Sequence, residues 1–545
     1  MSRRLALALV TLVAGAGLLA AAALGSGDST SSILKIGSTG RLDSVDPAIA
    51  YGTNSWMFEA ATGATLFRGS AGVAVPEVAR RFTVSKNGRV YRFVLRKGYR
   101  FSDGEAVKAK SFAYAIKRSL SRDLDSPGGG FVMDLHGVYI VGSAAYSAGT
   151  ARDLRGVKAS GLTLTIRLAH ADPNLLSVLA LPFFQAASSK LSPAQEKVDV
   201  RQVGDLPTAG PYTWSYNAPD QRAAIVPNPY YTGTRGRHLD EVELEMGLDL
   251  ETCFNETKAN QLDIGCVPGD QVAGLAQEYG VSRTKPVGTG RFWIKSSSCE
   301  SELLFNHRRL FADNLALRQA VNWAIDRTAL ATQLGPYGVT PWTHLIPPGF
   351  PGVVTSGRLQ PYSLRANRAK ARQLAAGHLG DGRIRVAYQS AGRGGLLAEA
   401  VRQALVDLGF DPSRIEMHGF AGFDFYEAIG IRGTPLDLAV GAGFCVDHTF
   451  DPASFIDVAL NAQLGDFSPA NKAYSRAFDV LSRRLKGNAR IRAQGRFDVQ
   501  LMKNLAPVAV LSVGNDPTFF SDRVDPASLK YSPVSGWSLT ALRLK

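Results

Sequence analysis

Apolar and polar positions along this chain follow two periods, and the period changes several times. From Ile33 onward, Leu34 and Ile36 alternate with polar residues until Asp46-Pro47 ends the segment, which is a strand pattern. Phe58–Leu66 carries apolar residues at helical spacing. Phe82-Thr-Val84 and Val90–Leu95 flank Ser85-Lys-Asn-Gly88, which predicts a hairpin. Its Asn-Gly pair supplies the positive φ angles of a tight turn, and Tyr91, Phe93 and Leu95 fall on one face. Phe101-Ser-Asp-Gly104 predicts a further turn. Val107–Leu120 predicts a helix with Phe112, Ile116 and Leu120 on one stripe.

Leu162–Leu168 and Val242–Met246 alternate as strands, and Leu175–Phe184 is largely apolar. Phe292-Trp-Ile294 and Leu303-Leu-Phe305 read as two buried strands. Asp313 is placed to cap a helix whose stripe is Leu317, Val321, Ala324 and Ile325. Helices are predicted around residues 368–376, 396–408 and 474–485, and a strand over 384–387 followed by the second of these makes a βα unit. Strands and helices mix throughout with no internal repeat. That is an α/β chain.

Composition narrows the class. The chain has 545 residues, 45% hydrophobic and 20% charged. At about 150 residues per domain it holds three or four domain-sized units or fewer large ones, and it is too apolar and weakly charged to be disordered. The 55 glycines and 27 prolines show no triplet period, which excludes a collagen-like chain. Only one stretch is long and apolar enough to enter a bilayer, so a polytopic channel is excluded as well. The formal net charge is +14, yet the densest basic groups are short: Arg89, Arg92, Arg96, Lys97 and Arg100, then Arg483, Arg484 and Lys486. This is a solvated surface, with adhesion to an anionic envelope as the weaker reading; no nucleic-acid partner is expected.

Ser2-Arg3-Arg4, the apolar run Leu5–Leu24 and the small residues Ala20–Ala23 read as an export signal, with cleavage expected within Ala21–Gly27. The run is long enough to span a bilayer, so an uncleaved anchor is the alternative. Ser2-Arg3-Arg4-Leu5 faintly resembles a twin-arginine signal. No cysteine stands near the end of the run for lipid attachment. The four cysteines, Cys253, Cys266, Cys299 and Cys445, all follow it. In an oxidising compartment two disulfides are expected, in any of three pairings.

Catalytic motifs are absent from the sequence. The eight histidines are scattered, and no H-E-x-x-H, G-x-S-x-G, P-loop or G-x-G-x-x-G occurs. Cys445-Val-Asp-His448 is the one near approach to a metal-ligand spacing, without a second pair, so no metal is expected. Asp447 and Asp451 could be posed as a hydrolytic pair. The preferred reading is that Asp451-Pro452 caps a helix beginning near Ala453.

The landmarks form an ordered series. Phe82–Arg96 and Phe101-Ser-Asp-Gly104 are followed by Thr208-Ala-Gly-Pro-Tyr212, Asn228-Pro-Tyr-Tyr231 and Leu304-Phe-Asn306. Leu317-Arg-Gln-Ala320, Ala324-Ile-Asp-Arg327 and Asp451-Pro-Ala-Ser-Phe455 complete it. In that order the series resembles the family 5 extracellular solute-binding proteins, the oligopeptide-, dipeptide- and nickel-binding receptors of ABC importers. Cys299 before Phe305-Asn306, with Gly443-Phe-Cys-Val-Asp447 later, is similar to the oligopeptide-binding branch. The resemblance implies a Cys299–Cys445 disulfide and, with it, Cys253–Cys266. It also implies that Asp447 anchors the α-amino group of a peptide, a charge-assisted hydrogen bond in a water-poor cleft.

The implied fold is α/β and periplasmic-binding-protein-like, class II: two lobes with a hinge and an additional inserted domain. Residues 1–32 form the signal or anchor with its linker. The first lobe takes 33–75, 207–298 and 510–545, the inserted domain 76–206, and the second lobe 299–509. The expected function is capture of oligopeptides in the interlobe cleft and delivery to the transmembrane subunits of an ABC permease, by a monomeric extracytoplasmic protein without cofactor or catalysis. Gly443, Phe444, Asn54, Trp56 and Phe131 join Asp447 as expected cleft residues, although Trp56 and Phe131 taken alone read as core. The rivals are a receptor of the same fold for dipeptides, a nickel complex, haem or an oligosaccharide, and an extracellular hydrolase. Phe444 stands where the branch commonly has tryptophan, and Lys110 where an acidic helix-start residue is usual.

Overall fold

The computed structural model describes residues 32–545 apart from 71–72, 134–137, 194–204, 219–220, 283–286, 381, 391–392, 422, 446–450, 462–463, 470, 486 and 533. Its backbone is one long mixed sheet. From edge to edge the strands are Ile415–Phe420, Ile384–Gln389, Leu438–Cys445, Phe292–Phe305, Val508–Phe520, Ile264–Gly265, Ile33–Gly37, Glu241–Glu245, Arg222–Pro227 and Tyr212–Ala218. Val339–Pro341 adds to Val508–Phe520 off this path.

Two strands in this order are unusually long. Phe292–Phe305 and Val508–Phe520 pair antiparallel over most of their length, and both belong to two lobes at once. At one end Phe519 and Phe520 pair with Ile264–Gly265 of the first lobe. At the other, Cys299–Phe305 pairs with Leu438–Cys445 of the second. Register shifts fall between Ser296 and Glu300 and between Ser301 and Glu302, where the ribbon passes from lobe to lobe. Such irregularities bend a strand and increase its twist.

Apolar packing is divided in the same way. In the second lobe, Leu304, Ala387, Ala439, Val508 and Val510 pack on one face of the sheet. Leu303, Val386, Val440, Ala509 and Leu511 pack on the other. This alternation is what a sheet covered on both faces by helices requires. The first lobe has its own cluster around Leu34, Phe58, Trp214, Val242 and Leu244. A further cluster draws mainly on residues 64–186, around the four-stranded sheet Ala79–Val84, Val90–Leu95, Thr163–Arg167 and Val157–Ser160.

Several sequence expectations hold. Tyr91, Phe93 and Leu95 are buried together, and the helix expected at Val107–Leu120 spans Ala109–Ser119 with Phe112 and Ile116 inside. The strand Ile384–Gln389 followed by the helix Gly394–Leu408 returns to a parallel neighbour, Ile415–Phe420, which completes the βα unit. Other expectations are corrected. At the hairpin only Gly88 has positive φ, at 71°; Asn87 instead accepts the Arg89 N–H and a bond from Ser85 Oγ, a local side-chain turn. The helix expected over Phe58–Leu66 spans Thr53–Thr62, because Asp43 of the preceding loop accepts the N–H groups of Tyr51 and Gly52 and fixes an earlier start. The cap at the helix Leu315–Ala324 is Asn314, accepting from the Leu317 N–H, and not Asp313. The two strands expected at 292–294 and 303–305 are one strand of 14 residues.

Candidate functional site

Strand direction locates the site. Ile33–Gly37 runs parallel to both its neighbours, Glu241–Glu245 and Ile264–Gly265. Ile264–Gly265 is antiparallel to Val508–Phe520, which is antiparallel to Phe292–Phe305. The first strand therefore points along Phe292–Phe305, toward the second lobe. Leu438–Cys445 is antiparallel to Phe292–Phe305 and parallel to Ile384–Gln389, so these two point back toward the first lobe. The carboxyl ends of the parallel strands of both lobes thus face each other across the hinge. Each is also a switch point in strand order, the place where open α/β sheets bind ligands. The row at Phe292 and the row at Cys299 lie seven residues apart along one strand, roughly 20 Å of extended chain.

In the second lobe the mouth is the end of Leu438–Cys445. Leu438–Val440 pairs on both sides, with Phe292–Phe305 and with Ile384–Gln389. Beyond Val440, Ala442–Cys445 pairs only with Ser301–Glu302 and Cys299–Glu300 among the described residues. Its other edge pairs with no strand among the described residues. Gly443 is exposed and lies against the hinge strand so closely that a Cβ would come within 2.9 Å of the Glu300 carbonyl oxygen. Phe444 is half-buried, its ring edge-on to Phe455 at 5.3 Å, and Phe455 in turn is edge-on to Phe350 at 5.1 Å. Cys445 is tied to Cys299, the two Cα atoms 4.0 Å apart. The helix Ala453–Asn461 begins after Asp451, which accepts the Ala453 N–H at 3.0 Å and pairs with Arg490. Asp451 is therefore a buried helix cap, as preferred from the sequence. Arg490 also donates to Asn174 at 3.0 Å, a link to the region of the four-stranded sheet.

In the first lobe the mouth is Gly37 and the loop that follows. Asn54, half-buried near the start of the helix Thr53–Thr62, donates to Ser38 Oγ at 2.8 Å. Asn54, Gly443 and Phe444 thus stand at the two opposed mouths. Trp56 and Phe131 do not share this position: exposures of 3% and 1% place them in the packed interior, each against Phe183. Asp447 lies outside the described residues, as does the apolar run Leu5–Leu24. Among the described residues no helix is long and apolar enough to cross a membrane.

Between the mouths the hinge strands carry buried charge that the sequence pattern did not single out. Lys295 is buried, with Nζ 2.7 Å from Thr518 Oγ1 and 3.1 Å from Asp516. It lies over the rings of Tyr531 and Trp537, at 4.5 and 4.6 Å. Burial lowers its affinity for the proton, and the Asp516 carboxylate works against that shift. Farther along the same strand, Glu300 and Glu302 are buried. Burial holds the Glu300 carboxyl well above the usual range, with Glu302 and Asp498 adding to the rise, and Glu300 Oε1 has no hydrogen-bond partner among the described residues. Burial pushes Glu302 up to about 7, partly offset by its hydrogen bond with Glu300. Asp498 accepts the N–H groups of Leu345 and Ile346, both at 3.1 Å.

Comparison with known proteins agrees with this geometry. Residues 73–440 match the family model described as "Bacterial extracellular solute-binding proteins, family 5 Middle". The chain belongs to this family. Among family 5 relatives, the dipeptide-binding protein DppE of Bacillus subtilis is 22% identical over 90% of this chain and 87% of its own length. The oligopeptide-binding protein OppA of the same organism is 24% identical over 50% of this chain, and the match spans 49% of its length. The unliganded open form of the periplasmic murein tripeptide binding protein MppA shares the fold, with a TM-score of 0.75 at 20% identity, covering 94% of this chain and 96% of that one. The architecture is the two-lobed class II α/β fold expected from the sequence.

Both disulfides implied by the family resemblance are formed, Cys299–Cys445 and Cys253–Cys266, and no cysteine is free among the described residues. What the sequence reading of this solute-binding protein missed is polar: Ser38, half-buried, and Lys295, Glu300, Glu302 and Asp498, all buried. For Lys295, Glu300 and Glu302 the one signal was a run of polar residues between two apolar strand segments, which reads as a loop when burial is unknown.

Proposed function

We propose that this family 5 protein captures extended peptides between its lobes, outside the cytoplasm, and hands them unchanged to the transmembrane subunits of an ABC permease. The observation that carries the reading is the edge of Ala442–Cys445 that no strand pairs with among the described residues, set at a switch point facing the mouth of the other lobe. An extended backbone laid along that edge gains main-chain hydrogen bonds whatever its side chains, the mode of strand addition. Hydrated space around the side chains then keeps affinity broad. Closure of the lobes on the peptide makes the state that the permease engages, because the ligand binds the closed form better than the open one. Asp447 is the proposed anchor for the peptide ammonium, and Asn54, Gly443 and Phe444 are the proposed lining. We further propose the division into a first lobe (33–75, 207–298, 510–545), an inserted domain (76–206) and a second lobe (299–509), which the separate apolar clusters support.

Native mass spectrometry of the purified protein tests the ligand class. Co-purified peptides are expected; haem, a nickel complex or a sugar in their place overturns the reading, and the peptide masses give the preferred length. Calorimetry tests the anchor: Asp447→Ala is expected to weaken free-amine peptides at least tenfold more than their N-acetylated forms. Equal losses would remove the role from Asp447.

A further inference from the structure

A cavity of about 400 Å³ is lined by none of the mouth residues Gly37, Ser38, Asn54, Gly443 and Phe444. It is walled by the helix Thr53–Thr62, the turn Pro182–Gln185, the ribbon Phe67–Ser70 with Val73–Pro76, and the C-terminal segment around residues 530–540. Met57, Ala60, Leu181, Pro182 and Leu539 make much of its surface apolar. Two of its polar wall residues are almost fully buried, Glu59 at 2% exposure and Gln185 at 3%. Gln185 Nε2 donates to Glu59 Oε2, which leaves Glu59 Oε1 and Gln185 Oε1 with no hydrogen-bond partner among the described residues.

Buried oxygens without donors cost about 1–3 kcal/mol each, so the arrangement calls for a donor. The buried cation of the wall does not supply it. Arg235, also in the wall, donates to the carbonyl oxygens of Ala60 and Gly63 and pairs with Glu77 at 2.8 Å. Burial pushes the Glu59 carboxyl well above its ordinary range, and the carboxylates of Asp46 and Asp43 add to the rise, so the desolvated site favours the protonated acid and a cation beside it is what would restore the carboxylate.

We propose that this cavity is a second binding site, for a small primary amine whose ammonium sits between Glu59 and Gln185 and whose apolar body fills the remaining space. An ammonium has enough N–H groups to satisfy both oxygens at once. The volume is near the lower end of small-molecule pockets, too small for a peptide in extended form. Arg68 and Lys530, exposed wall residues, disfavour a second positive charge on the ligand and tolerate a carboxylate. The site stands independently of the peptide reading, since it uses neither mouth.

The test uses the whole chain with 2-phenylethylamine and its neutral counterpart 2-phenylethanol, by calorimetry and by crystals soaked in each. The amine is expected in the cavity, its nitrogen within hydrogen-bond distance of Glu59, with at least tenfold higher affinity than the alcohol. Glu59→Gln is expected to abolish that preference. Ala180→Trp, at a half-buried wall position, is expected to abolish binding of both. Equal affinity for amine and alcohol, a preference that survives Glu59→Gln, amine binding that survives Ala180→Trp, or an amine located only in the interlobe cleft would each overturn the assignment.

Discussion

One pair of strands buries opposite charges at its two ends, and treats them differently. At the first-lobe end Lys295 has an acidic partner, two hydrogen bonds and two aromatic faces. At the second-lobe end Glu300 and Glu302 are buried beside each other, with Asp498 as a further acid. The first arrangement compensates its charge and fixes the strands to the C-terminal segment. The second removes its charge by keeping protons, and so ties local stability to pH. A covalent bond, Cys299–Cys445, stands next to the uncompensated end. The difference teaches that the hinge is held by electrostatics on one side and by a disulfide on the other.

The largest test of that contrast is to remove the covalent bond. Replacing both Cys299 and Cys445 by serine opens a loop with a sequence separation of 146, worth about 5 kcal/mol in the chain-entropy model. The same change at Cys253 and Cys266, separation 13, is expected to cost about 3 kcal/mol. Denaturant unfolding measures both, and a reversed order would break the assignment of the tether to the hinge. Next, Lys295→Met leaves Asp516 without its partner. Because the Asp516 side chain is 47% exposed, the loss is expected at about 2–3 kcal/mol, below the roughly 3–5 kcal/mol of a fully buried pair. A loss below 1 kcal/mol would show that Lys295 does not hold the strands.

Glu302→Gln has the opposite sign. The folded-state carboxyl is raised to about 7, so unfolded chains ionise first as pH rises past the ordinary carboxylate value, and the wild type loses stability until the folded group also ionises. That loss is on the order of 2 kcal/mol between pH 5 and 8. The variant is expected to show a flatter slope and to be the more stable protein at pH 8. A wild type equally stable at both pH values would sink the idea. The smallest effect is expected far from the hinge: Glu399→Ala breaks the exposed pair with Arg402 at 2.6 Å and costs less than about 0.5 kcal/mol.

How far the sequence could be read depends on which force shaped each part. Periodicity exposed Tyr91, Phe93 and Leu95, and the stripe Phe112–Ile116, because burial there is apolar and local. The ordered motifs carried the family and both disulfide pairs. The hinge strand reads as two in the sequence, since its middle is polar, although Lys295, Glu300 and Glu302 within it are buried in the fold. The helix Gly487–Asn504 and the strand Val508–Phe520 were not anticipated either. Of the expected cleft residues, Gly443 and Phe444 lie at a strand end and Asn54 at a helix start beside one, whereas the aromatic rings of Trp56 and Phe131 are packed inside, since an aromatic side chain serves a core as readily as a pocket.

The ribbon that joins the lobes has a mechanical consequence. Two hydrogen-bonded strands flex readily out of their common plane, but slide past one another only by breaking their ladder of bonds. A ladder of this kind favours a swing of the lobes over shear between them. Under the proposed function, a guest docked on one side would then meet the other side in the same register at every closure.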